Sequence, residues 1–421
     1  MGKSLLLFLF FYSSVFLAAQ EPILHQYYNK AISAYEVQDF ESYLSHLRKA
    51  NELRPNHPKI VYKLAGAWAL NNRKTRAIQT LNQMLLMDAS VDFQSDPDFE
   101  NIRKYKGYDR LVELQLNLNS VEIHDEVFLQ IEAAELHPES FVILPDSTIL
   151  IGSIREKRIV VVNSQGKYVH WLETPYGVTG MKLSKDERTL WVATAATSEM
   201  LGYESSMKGT SVVLQVDLLT GLIIQGLEYN DSAFVGDIEP DNEQRLWVSN
   251  SMEAYLSRDD TDTSQYLGAF TRLAYDLTEN FFNIQGLTLT DDERYLYFSD
   301  YIRGLFRVDI EEGDINQIFA PESSILKGID GLYFYKNSLL AIHNGTKPYK
   351  VVQYFLSEDG AFIELERVIN RGGESLGEPT LGQIKEGYFY YLANSPLQAY
   401  ENGELKIDDW PPIEIRRIKL D

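Results

Sequence analysis

After Ser120 the chain repeats itself, and that repetition limits its fold more than any other feature of the sequence. Six times an apolar run is followed by a polar, usually acidic turn and a second run rich in Leu, Trp, Tyr and Val. The copies start near Glu139, Gly180, Asp237, Gln285, Asp330 and Thr380, and their second runs begin at Ile149, Leu190, Leu246, Leu296, Leu339 and Phe389. Short alternating apolar runs bounded by turn residues read as strand, turn, strand. The second runs are spaced by 41, 56, 50, 43 and 50 residues. Residues 121–421 thus allot about 50 to each copy, the length of a four-stranded propeller blade. The expected fold class is multidomain α and β: an N-terminal helical-repeat segment followed by an all-β six-bladed propeller over residues 119–421. A ring leaves few strand edges open, and its closure is expected from pairing the Val121–Ile131 strand with the Ile413–Leu420 region. A two-sheet sandwich is the alternative.

In such a blade the first strand lines the central channel and the second runs antiparallel beside it. The start of one therefore meets the end of the other at the same mouth. The starts are Glu139, Thr179 with Gly180, Asp237, Gln285, Asp330 and the Glu378-Pro379-Thr380 segment. The ends are Ser153, Asn250, Asp300, His343 with Asn344, and Asn394. Two positional series bring carboxylates, amides and a histidine to one rim. Buried carboxylates need a metal, a cation or several donors, so the mouth is the expected site. Asn250, Asp300, Asn344, Glu378 and Asn394 are the candidates for substrate contact. Asn250, Asp300 and Asn394 also read as turn formers that bond local backbone.

These copies resemble the propellers of the senescence-marker-protein/gluconolactonase family, with paraoxonase and strictosidine-synthase-like relatives further off. The resemblance is carried by Pro138-Glu139, by Gln285-Gly286-Leu287 ahead of Leu296-Tyr297-Phe298-Ser299-Asp300, and by Gly328-Ile329-Asp330-Gly331-Leu332. It spans residues 121 to 421. It implies one divalent cation at the channel mouth, held by Glu139, Asp330 and, where the family has asparagine, Gln285. Gly236 stands where a further asparagine of the family contacts substrate, with Asp237 kept beside it. Oxygen ligands imply a hard cation, Ca²⁺ first. The implied activity is metal-dependent hydrolysis of a small lactone or ester, the cation polarising the carbonyl and stabilising the oxyanion. Asp237 is the first choice for the base that activates water and His343 the second. A hydrogen-bonded histidine at a strand end is the other reading of His343. The alternative function is a non-catalytic propeller that binds a ligand or a protein.

Composition narrows the field. A net charge of −22, from 39 Lys and Arg against 61 Asp and Glu, argues against a nucleic-acid partner. The absence of cysteine excludes disulfides, thiolate metal sites and cysteine nucleophiles. No Gly-x-Ser-x-Gly elbow, His-Glu-x-x-His helix or phosphate-cradling glycine loop occurs. Arg258-Asp259-Asp260-Thr261-Asp262-Thr263 lacks the glycine and distal glutamate of a calcium-binding EF-hand loop and reads as a solvated insertion. Trp171, Trp191 and Trp247 read as inter-blade packing, with an aromatic sugar platform as the other reading.

The N-terminal part has a different texture. Lys3, the apolar Leu5–Phe11 run and the small-residue end of Val15–Ala19 match a secretory signal over residues 1–19. Export to a periplasm or to the outside is therefore expected, with no membrane span left after removal of the signal. An uncleaved anchor is the alternative, although Tyr12-Ser13-Ser14 leaves the run short for a span. From His25 to Leu114 apolar residues recur at helical spacing. A shift of 34 residues superposes Ala31 on Ala65, Ala34 on Trp68, Tyr43 on Ala77, Leu47 on Leu81 and Ala50 on Met84. This looks like the tetratricopeptide pattern over residues 20–118, with Asp98–Leu114 as a capping helix or two. It implies a groove for a protein or peptide partner; an irregular helical pair without one is the alternative.

Overall fold

The computed structural model describes residues 10–229, 232–252, 254–259, 273–276, 281–374, 376–401, 404–406 and 410–421. It divides into two compact units, Met1–Ser120 with Thr346–Pro348, and Val121–Gly345 with Tyr349–Asp421.

The first unit is helical. Helices α1 (Phe10–Glu36), α2 (Phe40–Leu53), α3 (Pro58–Leu70) and α4 (Lys74–Met87) follow one another through short turns, and a 3₁₀ turn at Pro97–Ile102 precedes α5 (Tyr108–Leu118). The 34-residue register reappears in the backbone. Gln38 and Asn72 both take left-handed φ, 57° and 56°. The bond from Asp39 N–H to the Ala34 carbonyl recurs as Arg73 N–H to Trp68. Ala31, Tyr43, Leu47 and Ala50 are buried, and so are their counterparts Ala65, Ala77, Leu81 and Met84. Asp39 accepts the Ser42 N–H at 3.1 Å, capping α2. Pro58 opens α3, where its missing N–H leaves no bond unmade. Among the described residues no helix is long and apolar enough to cross a membrane. Residues 1–9 of the signal reading lie outside the described residues.

The second unit is a ring of six antiparallel blades. Blade one holds Pro138–Ile143, Ile149–Ser153, Arg158–Val162 and Tyr168–Glu173; blade two holds Gly177–Leu183, Thr189–Ala195, Ser211–Asp217 and Ile223–Tyr229. Blade three comprises Val235–Pro240, Leu246–Asn250, Tyr255–Asp259 and Leu273–Asp276, and blade four Ile284–Leu289, Tyr295–Asp300, Gly304–Asp309 and Ile315–Gln317. Blade five runs Ile329–Tyr335, Ser338–His343, Lys350–Leu356 and Ile363–Arg371, with Glu122–Ile123 added at its outer edge. Blade six is composite: Gly382–Lys385, Tyr388–Leu392 and Ile413–Lys419 are joined by Glu126–Ile131 from the start of the unit. The expected closure therefore forms, with Ile131 opposite Ile413. The small addition of Glu122–Ile123 to blade five was not expected. Of the acidic insertion in blade three, residues 260–263 lie outside the described residues.

The ring is held by apolar seams between neighbouring blades rather than by a single core. Trp191 of blade two packs with Ile238 and Val248 of blade three, and Trp247 of blade three with Leu287 and Phe298 of blade four. Leu305 of blade four meets Leu332 and Leu339 of blade five, and Leu340 of blade five meets Phe389 of blade six. Leu392 and Ile413 of blade six pack with Phe141 of blade one, and Leu150 of blade one with Leu190 of blade two. Trp191 and Trp247 are among the largest fully buried side chains, which fits the packing reading. The acidic turns have a local cause: Asp146, Asp186, Asp241 and Asp292 each accept a backbone N–H two residues on. These Asx turns set the hairpin between the first and second strands.

Candidate functional site

Five of the six first strands are interrupted where they enter the mouth. Their pairing with the second strands slips between Pro138 and Ser140, Val178 and Gly180, Val235 and Ile238, Ile284 and Leu287, and Ile329 and Gly331. The residues at these slips are Glu139, Thr179, Gly236 with Asp237, Gln285 with Gly286, and Asp330. A bulge re-aims the side chain it carries, and these are the residues that the strand-start series singled out. In blade six regular pairing starts at Gly382, just past the Glu378–Thr380 segment.

Three carboxylates gather there. Burial raises Glu139 well above the usual carboxylate range, and the nearby charges of Asp330 and Glu378 raise it further. Asp330 is pushed up to about 7 by burial, then by Glu378 and Asp237, against the opposing hydrogen bond from Asn344. Asn344 Nδ2 donates to Asp330 Oδ2 at 2.9 Å, and its Oδ1 lies 3.0 Å from the Tyr301 hydroxyl, which donates to it. Burial raises Tyr301 and Tyr349, and Glu378 pushes both in the same direction, so both phenols stay protonated. Ser395 makes a long 3.4 Å bond to Glu139 Oε2, and Thr380 Oγ1 donates to the Glu139 carbonyl at 2.8 Å, tying blade six to blade one. Among the described residues no Lys, Arg or His forms an ion pair with Glu139 or Asp330.

The donor chemistry fits a hard divalent cation. The side chains at the mouth offer carboxylate and amide oxygens, and the carboxylates repel one another without a positive charge between them. Among the described residues no three His, Cys, Asp or Glu side chains come close enough to share one ion. A cation would therefore take two carboxylates and complete its shell with amide, backbone or water oxygens.

The remaining expected site residues divide sharply. Asp237, the first choice for the base, is only 1 % exposed. Its Oδ1 accepts the Ile238 N–H at 2.9 Å and its Oδ2 the Leu287 N–H at 3.2 Å, so it straps blade three to blade four. Burial raises its pKa to about 6, with Lys182 opposing the rise. His343, the second choice, is fully buried. Its Nδ1 lies 3.0 Å from the Lys327 carbonyl and its Nε2 3.0 Å from the Tyr354 hydroxyl. Burial holds its pKa well below the usual value. A histidine with both nitrogens engaged behind the strand is a strut, and the role of base is withdrawn from it on that geometry.

Four members of the strand-end series are engaged with local backbone. Asn250 Oδ1 accepts the Phe234 and Met252 N–H groups, both at 3.0 Å. Asp300 accepts Phe282 at 2.7 Å, Ile302 at 2.9 Å and Arg303 at 2.7 Å. Asn394 accepts the Glu414 N–H at 2.7 Å and donates to the Pro412 carbonyl at 2.9 Å. Ser153 bonds to the Leu136 carbonyl and accepts the Glu156 N–H. Each therefore pins a connecting segment to the end of its own second strand and is buried in doing so. Asn344, one residue beyond that position, is the member of the series that reaches the carboxylates.

Gln285 lies at the rim between blades three and four. Its Oε1 accepts from Ser251 at 3.3 Å and its Nε2 donates to Asn283 Oδ1 at 2.8 Å. Sequence reasoning missed Lys182, whose Nζ bonds Glu239 Oε2 at 3.0 Å and sits 4.6 Å from the centre of the Tyr333 ring. Burial works against its charge, but Glu239 and Asp237 overcome it and raise its pKa. The signal was present for two of the three: Lys182 and Glu239 lie two residues beyond Gly180 and Asp237, the spacing that keeps a strand residue on one face.

No family model and no curated protein matches the chain. Solved structures do. A gluconolactonase from Xanthomonas campestris is 10 % identical, covering 70 % of this chain and 88 % of that one at a TM-score of 0.47. The calcium-binding protein regucalcin from Agrobacterium tumefaciens is 14 % identical, covering 71 % and 96 % at 0.46. Virginiamycin B lyase from Staphylococcus aureus is 13 % identical, covering 72 % and 100 % at 0.45. At these values the likeness says nothing of substrate or chemistry.

Proposed function

We propose that the propeller is a divalent-cation-dependent hydrolase of a small lactone or ester, working at the channel mouth of an exported protein. One observation carries this reading: burial and mutual repulsion, Glu378 included, raise Glu139 and Asp330, which sit at two bulged strand starts, while Glu378 lies just ahead of the first strand of blade six. Ionising such a cluster is costly, and a divalent cation offsets that cost. Glu139 and Asp330 would hold the ion, with an amide oxygen of Asn344 or Gln285, and Ca²⁺ is the first choice. The bound cation would polarise the substrate carbonyl and stabilise the charge that develops on its oxygen. Asn344 fixes the orientation of Asp330. Glu378 replaces Asp237 and His343 as the base that takes a proton from water. The protonated Tyr349 hydroxyl is a donor for a substrate oxygen, whereas the Tyr301 proton is given to Asn344.

Metal analysis of the purified full-length protein tests the reading. The expected result is bound divalent cation, a melting temperature that rises with Ca²⁺, and hydrolysis of at least one member of a lactone and ester panel. Asp330→Ala should lose all three. Metal-free protein whose melting temperature ignores Ca²⁺ would sink the mechanism.

A second reading is a non-catalytic propeller that binds a ligand or protein. It is favoured by Gln285, whose amide is engaged with Ser251 and Asn283. A cation-binding protein inert across the whole panel would select it. In either case the helices, read as tetratricopeptide-like, dock a protein or peptide partner.

A further inference from the structure

Away from the channel, the most unusual feature is a patch of cations on the helical unit of a chain whose net charge is −22. A groove of about 490 Å³ lies between the start of α4 and the turn into α5, lined by Thr75, Ile78, Gln79, Tyr105, Lys106 and Arg110. Thr75 Oγ1 and the Tyr105 hydroxyl are hydrogen-bonded at 2.8 Å, and Lys74 Nζ sits 6.0 Å from the Tyr105 ring centre. Arg73 and Arg76 flank these residues in sequence on one side and Lys104 on the other; all three are exposed, as are Lys106 and Arg110. None of Arg73, Lys74, Arg76, Lys104, Lys106 and Arg110 has a carboxylate partner among the described residues. In the propeller, by contrast, Lys182 is paired with Glu239, Lys350 with Glu366 and Arg416 with Asp125. Lys106 and Arg110 in the groove wall and Lys74 beside Tyr105, unpaired in so acidic a chain, create a local positive field that attracts an anionic partner.

We propose that this groove docks an acidic segment of a partner polypeptide, its carboxylates seated on Lys74, Lys106 and Arg110. The inference rests on the docking role proposed above for the helices and adds the chemistry of the partner. Arg110 supplies a planar fork for a carboxylate, and Gln79 offers both a donor and an acceptor to a peptide backbone. The concave shape favours a chain over a bilayer. A membrane-binding face carries large apolar side chains that insert, whereas Ile78 is half-buried within the groove. Exposed Asp109, beside Arg110 in sequence, makes the patch discontinuous and unsuited to a regular row of phosphates.

The test uses the full-length protein and a fluorescein-labelled peptide of ten glutamates, followed by fluorescence anisotropy at low and physiological salt. Binding that weakens with salt is expected. The pair Lys106→Glu with Arg110→Glu should weaken it by about tenfold or more, equivalent to about 1.4 kcal/mol. The charge-matched propeller pair Lys167→Glu with Arg188→Glu should leave it within about twofold. If the first pair fails to fold, judged by its melting curve, Lys106→Gln with Arg110→Gln replaces it with the same expectation. Equal binding by wild type and both variants overturns the groove assignment while leaving a docking role for the helices elsewhere. Failure to bind the peptide, with capture instead by vesicles containing anionic phospholipid, overturns the polypeptide partner in favour of a membrane surface.

Discussion

A Cβ placed on Gly236 would stand 2.9 Å from Oε1 of Gln285 and 2.5 Å from Oγ of Ser251. The long amide of blade four therefore occupies space left open on blade three. Gly236 and Gln285, at neighbouring bulges, are thus spatially one feature.

That relationship makes the two positions energetically coupled. Gly236→Asn alone is expected to destabilise the protein by about 1–3 kcal/mol through overpacking against Gln285 and Ser251. The same change made with Gln285→Asn should cost less than the sum of the single changes, because the shorter amide vacates the contested space. Thermal melts of the two single variants and the double provide the cycle. Strict additivity would show that the two side chains do not compete.

Asp330 makes stability depend on pH in a direction opposite to an ordinary paired carboxylate. Its folded pKa is about 7 against a reference of 3.8, so between those values the native state binds more protons than the unfolded chain. Unfolding free energy from this group therefore falls as pH rises from about 4 to about 7. Asp237, pushed up to about 6, acts in the same sense. Buried His137, held down to about 4, acts in the opposite sense over about 4 to 6.5. Comparing wild type with Asp330→Asn in chelator isolates the one group: the variant should gain stability relative to wild type as pH rises from 4.5 to 7.5. Added Ca²⁺ should shrink that gap by stabilising the wild type alone. Parallel pH curves in urea would contradict the burial of an uncompensated carboxylate.

The ring was legible because each blade repeats one strand, one polar turn and one strand, the turn being an Asx turn in the first four, and because the closing strand carries the same apolar alternation as its partner. The rim positions were legible because a bulge falls at the strand start in the first five copies, from Glu139 to Asp330. What could not be read was direction. Asn250, Asp300, His343 and Asn394 occupy the right positions for a site, but they turn back to hold connecting segments. For Asn250 and Asp300 these lie 16 and 18 residues upstream, at Phe234 and Phe282. Asp237 is committed by the Leu287 N–H of the next blade, 50 residues away. Such choices depend on which backbone donors the folded ring leaves unpaired, and a period in the sequence does not encode that.

Asp300 offers a test of the structural reading. Its carboxylate accepts three backbone N–H groups from Phe282, Ile302 and Arg303 and is fully buried. Asp300→Ala should cost about 1–3 kcal/mol for each donor left without a partner, and Asp300→Asn less, since one amide oxygen is kept. Cation binding per folded molecule should not change in either variant. Loss of the Ca²⁺-induced rise in melting temperature in the well-folded Asn variant would return Asp300 to the site.

Glu378 separates a base from a ligand. Its charge raises Glu139 and Asp330, and with them Tyr301 and Tyr349. Glu378→Gln keeps the size and one acceptor oxygen but removes the group that takes the proton. If Glu378 is the base, kcat on a lactone or ester should fall by about 10²–10⁴-fold, while the Ca²⁺-induced rise in melting temperature stays within error of wild type. Asp330→Ala, by contrast, should lose the cation and the activity together, because the ion lacks one of its carboxylates. A Glu378→Gln protein that no longer responds to Ca²⁺ would make Glu378 a third ligand and leave proton transfer to a metal-bound water and its surroundings. Unchanged kcat with an unchanged Ca²⁺ response would remove Glu378 from the chemistry altogether and assign the base to another group at the mouth.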